Sequence, residues 1–303
     1  MFLTRCRRNF GKCTIQRFLS DEETHLREKL KPSRLFPEDA QLAADICKLL
    51  MYIDKKSALI RMISVQCFGN SKYVEYQLQK RLVSIAKKYE PELALYRRNE
   101  DEKLTDRQVL QQIGVIIYPE IYEFCGRFSA LIREETIDFS CFDKGFCLQS
   151  EMVSDILKIC FENINEVFFI ENRTNYRQMI LNGIQRNTVI IHHGGFYSPL
   201  KGELFRKLFE NAHREIKFYF WGDIDLGGFN MYDRLKQNIV LSLMPYRMDK
   251  QSFLAGKHLG EKRNHEYLHK IMKYQKQCNH HMFDEVIQCI LAAEVTVEQE
   301  CLL

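Results

Sequence analysis

Short, continuous apolar runs alternate with helix-like patterns over the second half of the chain. Three of these runs are rich in β-branched or aromatic residues and are bounded by polar residues or glycine: residues 167–170, 188–193 and 218–221. Runs of this length and composition are typical of strands buried on both faces of a parallel sheet. The alternation of such strands with helices from Glu151 onwards therefore predicts an α/β domain, built on a mainly parallel sheet flanked by helices.

Helices are predicted between and after these strands wherever apolar residues recur at a spacing of three and four. Asn172 or Thr174 is expected to cap the helix that follows the first strand. A short run at residues 239–243 is expected to add a fourth strand. The predicted helices cover about 152–161, 172–182, 202–212, 229–237, 264–278 and 281–293.

The first half of the chain has a different pattern. A helix is predicted at roughly 37–53, and a second helix follows the turn at 68–73. A short helix should begin at the cap Thr105 and end at Gly114. It is followed by 121–132 and about 136–148, which contain alternating apolar runs with a turn at 143–145. Helix, short helix and β-hairpin are the order of elements in a winged-helix domain, although many α+β domains share it.

These patterns predict three parts: a helical, basic amino-terminal arm at 1–54, a winged-helix α+β domain that binds DNA at 55–150, and a catalytic α/β domain at 151–303. The basic residues of the first 35 positions indicate either a solvated or partly ordered arm or a contact with nucleic-acid phosphate. Those residues are Arg5, Arg7, Arg8, Lys12 and Arg17.

Composition narrows the class of protein without naming a function. The chain has 303 residues, of which 46% are hydrophobic and 28% are charged, as in an ordinary globular protein. The net charge of +4 is only a weak hint of an acidic partner. The sequence contains neither a phosphate-binding G-x-x-x-x-G-K-[ST] loop nor G-x-G-x-x-G, so it does not support an ATPase or a dinucleotide-dependent enzyme.

The eleven cysteines are scattered and include no C-x-x-C pair, which argues against a zinc ribbon or a thioredoxin-like site. We expect most of them to be small buried residues in a reducing cytoplasm. The amino terminus has no apolar signal region, and no run approaches eighteen apolar residues, so neither secretion nor a membrane span is expected.

Carboxylates follow two of the predicted strands directly. Glu171 ends the first strand, whereas Asp223 and Asp225 end the third and lie two residues apart on the same side. Carboxyl ends of parallel strands form sites, and carboxylates gathered there repel one another unless a cation neutralises them. Oxygen ligands favour Mg²⁺ or Mn²⁺, so this pattern predicts a divalent-metal site. The alternative for Asp-x-Asp is a cap of the following helix.

Other polar residues near the same strand ends could act on a substrate or only support the fold. His192 and His193 end the middle strand and are either structural histidines or contacts of a scissile phosphate, with His193 as a candidate catalytic residue. Gly194 and Gly195 allow either a tight turn or close approach of the backbone to phosphate. Lys201, and Lys80 and Arg81 on the earlier helix, are candidate phosphate contacts or ordinary solvated charges. The pair His280–His281 beside Cys278 lacks the remaining ligands of a zinc site.

Three motifs occur in an order that resembles a known family: Ile170-Glu-Asn-Arg-Thr-Asn-Tyr176, His192-His-Gly-Gly-Phe196 and Trp221-Gly-Asp-Ile-Asp-Leu-Gly-Gly228. A glutamate after one strand and Asp-x-Asp after a later one resemble the Toprim fold of topoisomerases, primases and nucleases. The motifs are most similar to the carboxy-terminal domain of JetD, the nuclease subunit of Wadjet anti-plasmid systems. That family is related to the A subunit of topoisomerase VI. Phe68-Gly-Asn-Ser-Lys72 resembles the entry of its winged-helix (CAP-like) domain, and Val297-Glu-Gln-Glu300 resembles its closing segment.

The resemblance implies a DNA endonuclease that uses Mg²⁺ or Mn²⁺ to activate water. Glu171 would be a metal ligand or general base, Asp223 the principal ligand, and Asp225 a ligand of the same ion or a second one. It also implies a homodimer acting on circular double-stranded DNA, which an SMC-like ATPase complex with kleisin and winged-helix subunits would deliver in the cytoplasm.

Two other functions remain open from the sequence. Topoisomerase VI-like enzymes cleave DNA with a tyrosine of the winged-helix domain, and Tyr96 and Tyr118 lie in that region, although neither matches the transesterase motif. A DNA-binding scaffold subunit that retains the fold without catalysis is the third hypothesis.

Overall fold

The computed structural model of the protein describes residues 11–93 and 104–303. Contacts divide the chain into two compact units, Met1–Pro119 and Glu120–Leu303. The hydrophobic clusters follow the same division, since one lies within 15–115 and the other two within 122–297. Each unit therefore has a core of its own. No helix among the described residues is long and apolar enough to cross a membrane.

The first unit is mostly helical. A π-helical turn at Val74–Leu78 leads into its fourth helix, and a 3₁₀ turn at Pro91–Leu93 follows that helix. Two very short strands pair in parallel. Its helices and strands are α1 (Cys13–Lys29), α2 (Ala40–Lys55), β1 (Ala58–Leu59), α3 (Ile60–Phe68), α4 (Gln79–Tyr89), α5 (Asp106–Gln112) and β2 (Val115–Ile116).

Capping residues explain where several of these helices begin. Asp39 accepts a hydrogen bond from the backbone N–H of Leu42 at the start of α2, 2.7 Å away. Thr105 and Gln108 form a complete capping box at the start of α5. The helices predicted at 37–53, after 73 and after Thr105 are all confirmed.

The predicted helical, basic amino-terminal arm is helical at residues 13–29, which form α1, but this helix is packed and not a solvated arm. Ile15, Phe18 and Leu19 on this helix are buried in the core of the first unit. Their spacing of three and four residues is the pattern of a helix with one buried face. Arg5, Arg7 and Arg8 lie outside the described residues, and Arg17 is exposed on α1.

The second unit is a mixture of strands and helices. A 3₁₀ helix at Ser150–Asp155 precedes its fifth strand, and another at Gln299–Leu302 ends the chain. Its strands are β3 (Ile121–Gly126), β4 (Ser129–Ile132), β5 (Glu135–Asp138), β6 (Phe146–Gln149), β7 (Ile156–Cys160), β8 (Glu166–Ile170), β9 (Thr188–His192), β10 (Lys217–Trp221), β11 (Met244–Pro245), β12 (Glu261–Lys262) and β13 (Val295–Thr296). Its helices are α6 (Arg173–Leu181), α7 (Pro199–Glu210), α8 (Leu226–Asn238), α9 (Lys250–Gly256), α10 (His265–Gln277) and α11 (Asp284–Ala293).

The main sheet has six strands in the order β11-β10-β8-β9-β3-β6. The four strands β11, β10, β8 and β9 are parallel to one another, and β3 and β6 extend the sheet in antiparallel pairing. The predicted mixed α/β class and the three central strands are confirmed. A separate antiparallel sheet has the order β5-β4-β7.

Residues 55–150, which the sequence suggested as one winged-helix domain, contribute to both units. Helices α3–α5 belong to the first unit, whereas β3 and β6 are hydrogen-bonded into the sheet that carries β8–β10. β3 and β6 thus share a core with β8–β10.

Two predicted elements are wrong. Residues 152–161 are a 3₁₀ turn followed by β7, because Ile156 and Ile159 pack on β4 even though their spacing of three also suits a helix. Residues 239–243 are a turn in which Val240 and Leu243 are buried, and the edge strand β11 follows at Met244. A turn whose apolar residues are buried has the same composition as a short buried strand, which explains the wrong prediction.

Most cysteines are not buried, contrary to the expectation. Among the ten in the described ranges, three are buried, and all ten are free thiols. The buried ones are Cys47, Cys67 and Cys125.

Candidate active site

The parallel register brings the ends of three central strands to one edge of the sheet. Ile170 at the end of β8 is paired with Trp221 of β10 on one side and with His192 of β9 on the other. The residues that follow, Glu171, Gly222 and His193, therefore leave the sheet at the same level. This alignment places the sequence-predicted site at the carboxyl edge of the parallel strands.

Glu171 and Asp223 contact each other directly at this edge. The backbone N–H of Glu171 donates to the carbonyl of Trp221, 2.9 Å away. The backbone N–H of Asp223 in turn donates to Oε2 of Glu171 at 3.1 Å. A Cβ atom added to Gly222 would lie 2.7 Å from the same Oε2 atom, so the glycine leaves space for the carboxylate.

The closing segment, residues 297–300, folds back over these carboxylates. Val297 and Ile224 exchange backbone hydrogen bonds. The backbone N–H of Gln299 donates to Oδ1 of Asp223 at 2.6 Å, and the Asn172 side chain donates to Oε1 of Glu300 at 2.5 Å. Gln299 and Glu300 are therefore part of the site, although the sequence marked this segment only as a family resemblance.

Burial and mutual repulsion raise the pKa values of Glu171 and Asp223. Burial, and then the nearby charge of Asp223, raises the pKa of Glu171 well above its ordinary range. Burial raises the pKa of Asp223 to about 6, and the charges of Asp225 and Glu300 act in the same direction. Strongly raised carboxyl pKa values in a cluster are a feature of functional sites.

Asp225 has a different environment. Its Oδ1 accepts the backbone N–H of Gly228 at 2.8 Å and so caps α8. Its Oδ2 accepts a 3.4 Å hydrogen bond from the Tyr267 hydroxyl, which also accepts the backbone N–H of Leu226. The capping role considered for the Asp-x-Asp motif thus describes the second aspartate and not the first.

The residues present fit a hard divalent cation. In the described part of the chain, the oxygens of Glu171, Asp223 and Asp225 do not all lie within 4.8 Å of one another. The backbone N–H of Asp223 nevertheless binds Oε2 of Glu171, and the charge of Asp223 helps to raise the pKa of Glu171, so the two carboxyl groups, both with raised pKa values, are neighbours. Mg²⁺ is commonly held by one or two carboxylates while it keeps several waters, so two adjacent carboxylates suffice.

His193 is enclosed by aromatic rings. Its side chain is buried, its ring stacks on Phe205, and Phe220 and Tyr197 pack edge-on against it. Burial lowers the pKa of His193 to about 3, so the ring is neutral. These contacts favour the structural role over contact with a scissile phosphate.

His192 lies in a polar cluster that the sequence did not indicate. Its Nδ1 is 3.4 Å from Oε1 of Glu123 on β3, and the same oxygen forms a 3.0 Å ion pair with Arg173 on α6. Burial, followed by the charge of Lys201, lowers the pKa of His192 to about 4. Glu123 could not be recognised from the sequence because its strand joins the sheet through the long-range β3–β9 pairing.

Gly194 and Gly195 lie in the turn after β9, and Lys201 on α7 contacts this turn. Gly194 has a φ of 66°, which favours glycine, whereas Gly195 is exposed with open space around its Cα atom. The Lys201 ammonium donates to the carbonyl of His193 at 2.6 Å, and burial lowers its pKa to about 8. Lys201 thus supports this turn from within the second unit.

Lys80 and Arg81 are on α4 of the first unit. Lys80 is exposed, and Arg81 donates a long hydrogen bond of 3.5 Å to the carbonyl of Arg34. Tyr96 lies outside the described residues, and Tyr118 is exposed by 63%.

Comparison with known proteins identifies the family. The family model described as Wadjet protein JetD, C-terminal, matches residues 129–303, which is more than half of the chain. This chain belongs to the JetD C-terminal family. The Wadjet protein JetD of Bacillus cereus (strain Q1) is 27% identical over 246 residues, which cover 80% of this chain and 57% of the relative. The chain thus corresponds to little more than half the length of that JetD protein, and the matched family region contains β8–β10 and the closing segment.

Proposed function

We propose that this member of the JetD family is a divalent-metal-dependent DNA endonuclease of a Wadjet-type anti-plasmid system. The observation that supports it most directly is the Glu171–Asp223 pair at the carboxyl edge of the parallel strands, where the backbone N–H of Asp223 donates to Oε2 of Glu171 at 3.1 Å and the pKa of both carboxyls is raised. Paired acids of this kind are costly without a cation and suit phosphodiester hydrolysis with one.

In this proposal the second unit is a Toprim-type catalytic domain. Glu171 and Asp223 hold Mg²⁺ or Mn²⁺, which when bound lowers the pKa of water and neutralises charge on the scissile phosphate. Asp225 fixes the loop after β10 by capping α8, and Gln299 orients Asp223 through its backbone N–H. The polar cluster of Glu123, Arg173 and His192 lies beside the site, where Arg173 can contact the DNA backbone.

DNA is the proposed substrate, in circular double-stranded form, and a homodimer would cut both strands. The helical first unit would contribute to DNA binding as part of a winged-helix arrangement with exposed basic residues such as Lys80 on α4. Delivery of the DNA by an SMC-like complex with kleisin and winged-helix subunits in the cytoplasm is part of the same proposal. The support for these partners is membership of the JetD family.

The test is cleavage of supercoiled plasmid by the purified chain with Mg²⁺ or Mn²⁺, alone and with the partner complex. We expect Glu171→Gln and Asp223→Asn to lower the cleavage rate by about 100-fold or more, because the metal supplies several kcal/mol and 1.4 kcal/mol corresponds to tenfold. Glu261→Gln, on the exposed strand β12, is the matched control and should cleave normally. Undiminished cleavage by Asp223→Asn would show that the site is wrongly assigned.

Asp225 needs two substitutions because it is also a cap. Asparagine caps helices as well as aspartate does, so Asp225→Asn removes the charge and keeps the fold, whereas Asp225→Ala also removes the cap. Full activity in Asp225→Asn with lower stability in Asp225→Ala would restrict this residue to capping. Loss of activity in both would make it a ligand.

The alternatives give different products in the same assay. A tyrosine transesterase would leave a protein–DNA adduct that survives denaturant, and either Tyr96→Phe or Tyr118→Phe would abolish it. A scaffold subunit would bind DNA in a salt-dependent manner without cleavage under any divalent ion.

A further inference from the structure

A second group of potential metal ligands lies on the helices of the second unit, apart from the strand-end carboxylates. Asp233 on α8, Cys278 directly after α10 and His280 in the following loop place one ligand atom each within 4.8 Å of one another. Of the described residues, only these form such a trio. The sequence showed Cys278 and His280 but not Asp233, which is 45 residues away along the chain.

We propose that Asp233, Cys278 and His280 bind Zn²⁺. A thiolate, an imidazole nitrogen and a carboxylate oxygen form a mixed set of donors that suits zinc, whereas Mg²⁺ takes oxygen ligands alone. Three protein ligands leave one position of a tetrahedron, which we assign to water. The side chains of Asp233 and His280 are 13% and 24% exposed, so the site is sheltered and still reached by solvent.

The distances are close to those of a tetrahedral site. His280 Nε2 lies 2.6 Å from Oδ1 of Asp233, and Cys278 Sγ lies 3.7 Å from Oδ2. Ligand atoms about 2.0–2.3 Å from zinc are separated by roughly 3.3–3.8 Å across the tetrahedron. An increase of less than about 1 Å in the distance between His280 Nε2 and Asp233 Oδ1 would therefore make room for the ion. One ligand atom of each of the three residues already lies within 4.8 Å of the others.

Neighbouring groups already orient two of the ligands. The Tyr274 hydroxyl donates to Oδ2 of Asp233 at 2.8 Å, which leaves Oδ1 for the ion, and such outer hydrogen bonds are usual for ligating carboxylates. The His280 ring packs edge-on against Tyr232. Coordination through Nε2 moves the imidazole proton to Nδ1, so the 3.4 Å hydrogen bond from the Met282 N–H would be lost.

The trio lies where two helices meet, so a bound ion would connect them. Asp225 caps the start of α8 and is contacted there by Tyr267 of α10. Near the other end of α8, Asp233 contacts Cys278 and His280, which follow α10. A zinc ion would join these two helices at their other end. The ion would thereby hold α8 in place, and with it the capping residue Asp225, which is two residues from Asp223.

The competing explanation is an ordinary hydrogen-bonded cluster, in which His280 and Asp233 form an ion pair. Spectroscopy separates the two. The untagged chain, stripped with a chelator and loaded with Co²⁺, should show a thiolate-to-cobalt charge-transfer band and the intense visible bands of a tetrahedral ion. Absence of the charge-transfer band from the unaltered protein would overturn the proposal whatever the variants do.

Variants then assign the ligands. Cys278→Ser and His280→Gln should each weaken Zn²⁺ binding by at least about 100-fold, since even loss of a group that only supports a ligand costs 10–100-fold. His281→Gln and Cys289→Ser are matched controls: His281 is exposed and bonded to Asp284, and Cys289 is on α11. Equal loss of zinc in a control and a ligand variant would contradict the assignment.

The zinc proposal can be tested independently of the nuclease proposal. Asp223→Asn should abolish DNA cleavage and leave one equivalent of zinc and the cobalt spectrum unchanged. Loss of the cobalt charge-transfer band in Asp223→Asn would instead mean that the thiolate spectrum does not report an independent site.

Discussion

At the scale of single residues, two opposing effects set the pKa of Asp223. The backbone N–H of Gln299 donates to its carboxylate at 2.6 Å and stabilises the charged form. Burial and the charges of Asp225 and Glu300 act against ionisation and prevail, so the pKa rises to about 6. Asp223 is thus a residue whose charged form costs stability until a cation is present, which is the expected compromise at a functional site.

This balance predicts how stability depends on pH when no metal is bound. A carboxyl whose pKa rises from 3.8 to about 6 on folding binds more protons in the native state between those values, so stability falls as pH increases from about 4 to about 6. Asp223→Asn removes the charge, and we expect it to be more stable than the unaltered protein at pH 8 by about 1–3 kcal/mol, with little difference at pH 4.

Denaturant unfolding of the chelator-treated proteins at both pH values measures this difference. Asp249→Asn is the matched control, because Asp249 caps α9 at the exposed surface and asparagine retains the cap. A destabilised Asp223→Asn at pH 8 would show that the Gln299 hydrogen bond outweighs the burial of charge.

At the scale of elements, the sequence predicts a helix or strand correctly where residues within that segment determine its structure. β8, β9 and β10 were predicted because strands buried on both faces need continuous apolar runs, and α5 because Thr105 and Gln108 form a local capping box. β7 was missed because its stability comes from pairing with β4 in another part of the chain. Glu123, Gln299 and Asp233 were missed for the same reason: their partners are distant in sequence.

The link from β10 to α8 also shows how an element depends on one small residue. A Cβ atom at position 222 would lie 2.6 Å from the Phe220 ring and 2.7 Å from Oε2 of Glu171. We expect Gly222→Ala to lower stability by about 1–3 kcal/mol through overpacking and to displace the Glu171 carboxylate. Gly195→Ala is the control, since its Cβ would meet nothing within 4 Å.

Thermal unfolding and Mn²⁺ titration of both glycine variants measure these effects. The expected result is a lower melting temperature and weaker Mn²⁺ binding in Gly222→Ala only. If Gly222→Ala is destabilised but binds Mn²⁺ normally, this glycine is needed for packing and not for the position of the Glu171 carboxylate.

At the scale of the whole molecule, the chain is two bodies with separate cores. The cluster around Phe18, Leu49 and Leu82 lies within the first unit, and the cluster around Phe169, Phe205 and Phe229 lies within the second. All the described contacts of Glu171, Asp223 and the proposed zinc ligands come from residues after Glu120. The second unit therefore holds both proposed metal sites by itself.

The division predicts that the fragment Glu120–Leu303 folds alone. A chain of this length can bury a full core, so we expect one cooperative thermal transition and a well-defined near-ultraviolet circular dichroism spectrum. Mn²⁺ should raise its melting temperature, since a ligand that binds only the native state stabilises it, and the same fragment with Asp223→Asn should not respond. A fragment that folds without any Mn²⁺ response would reject the carboxylate site, whereas a fragment that aggregates without a cooperative transition would reject the independence of the second unit.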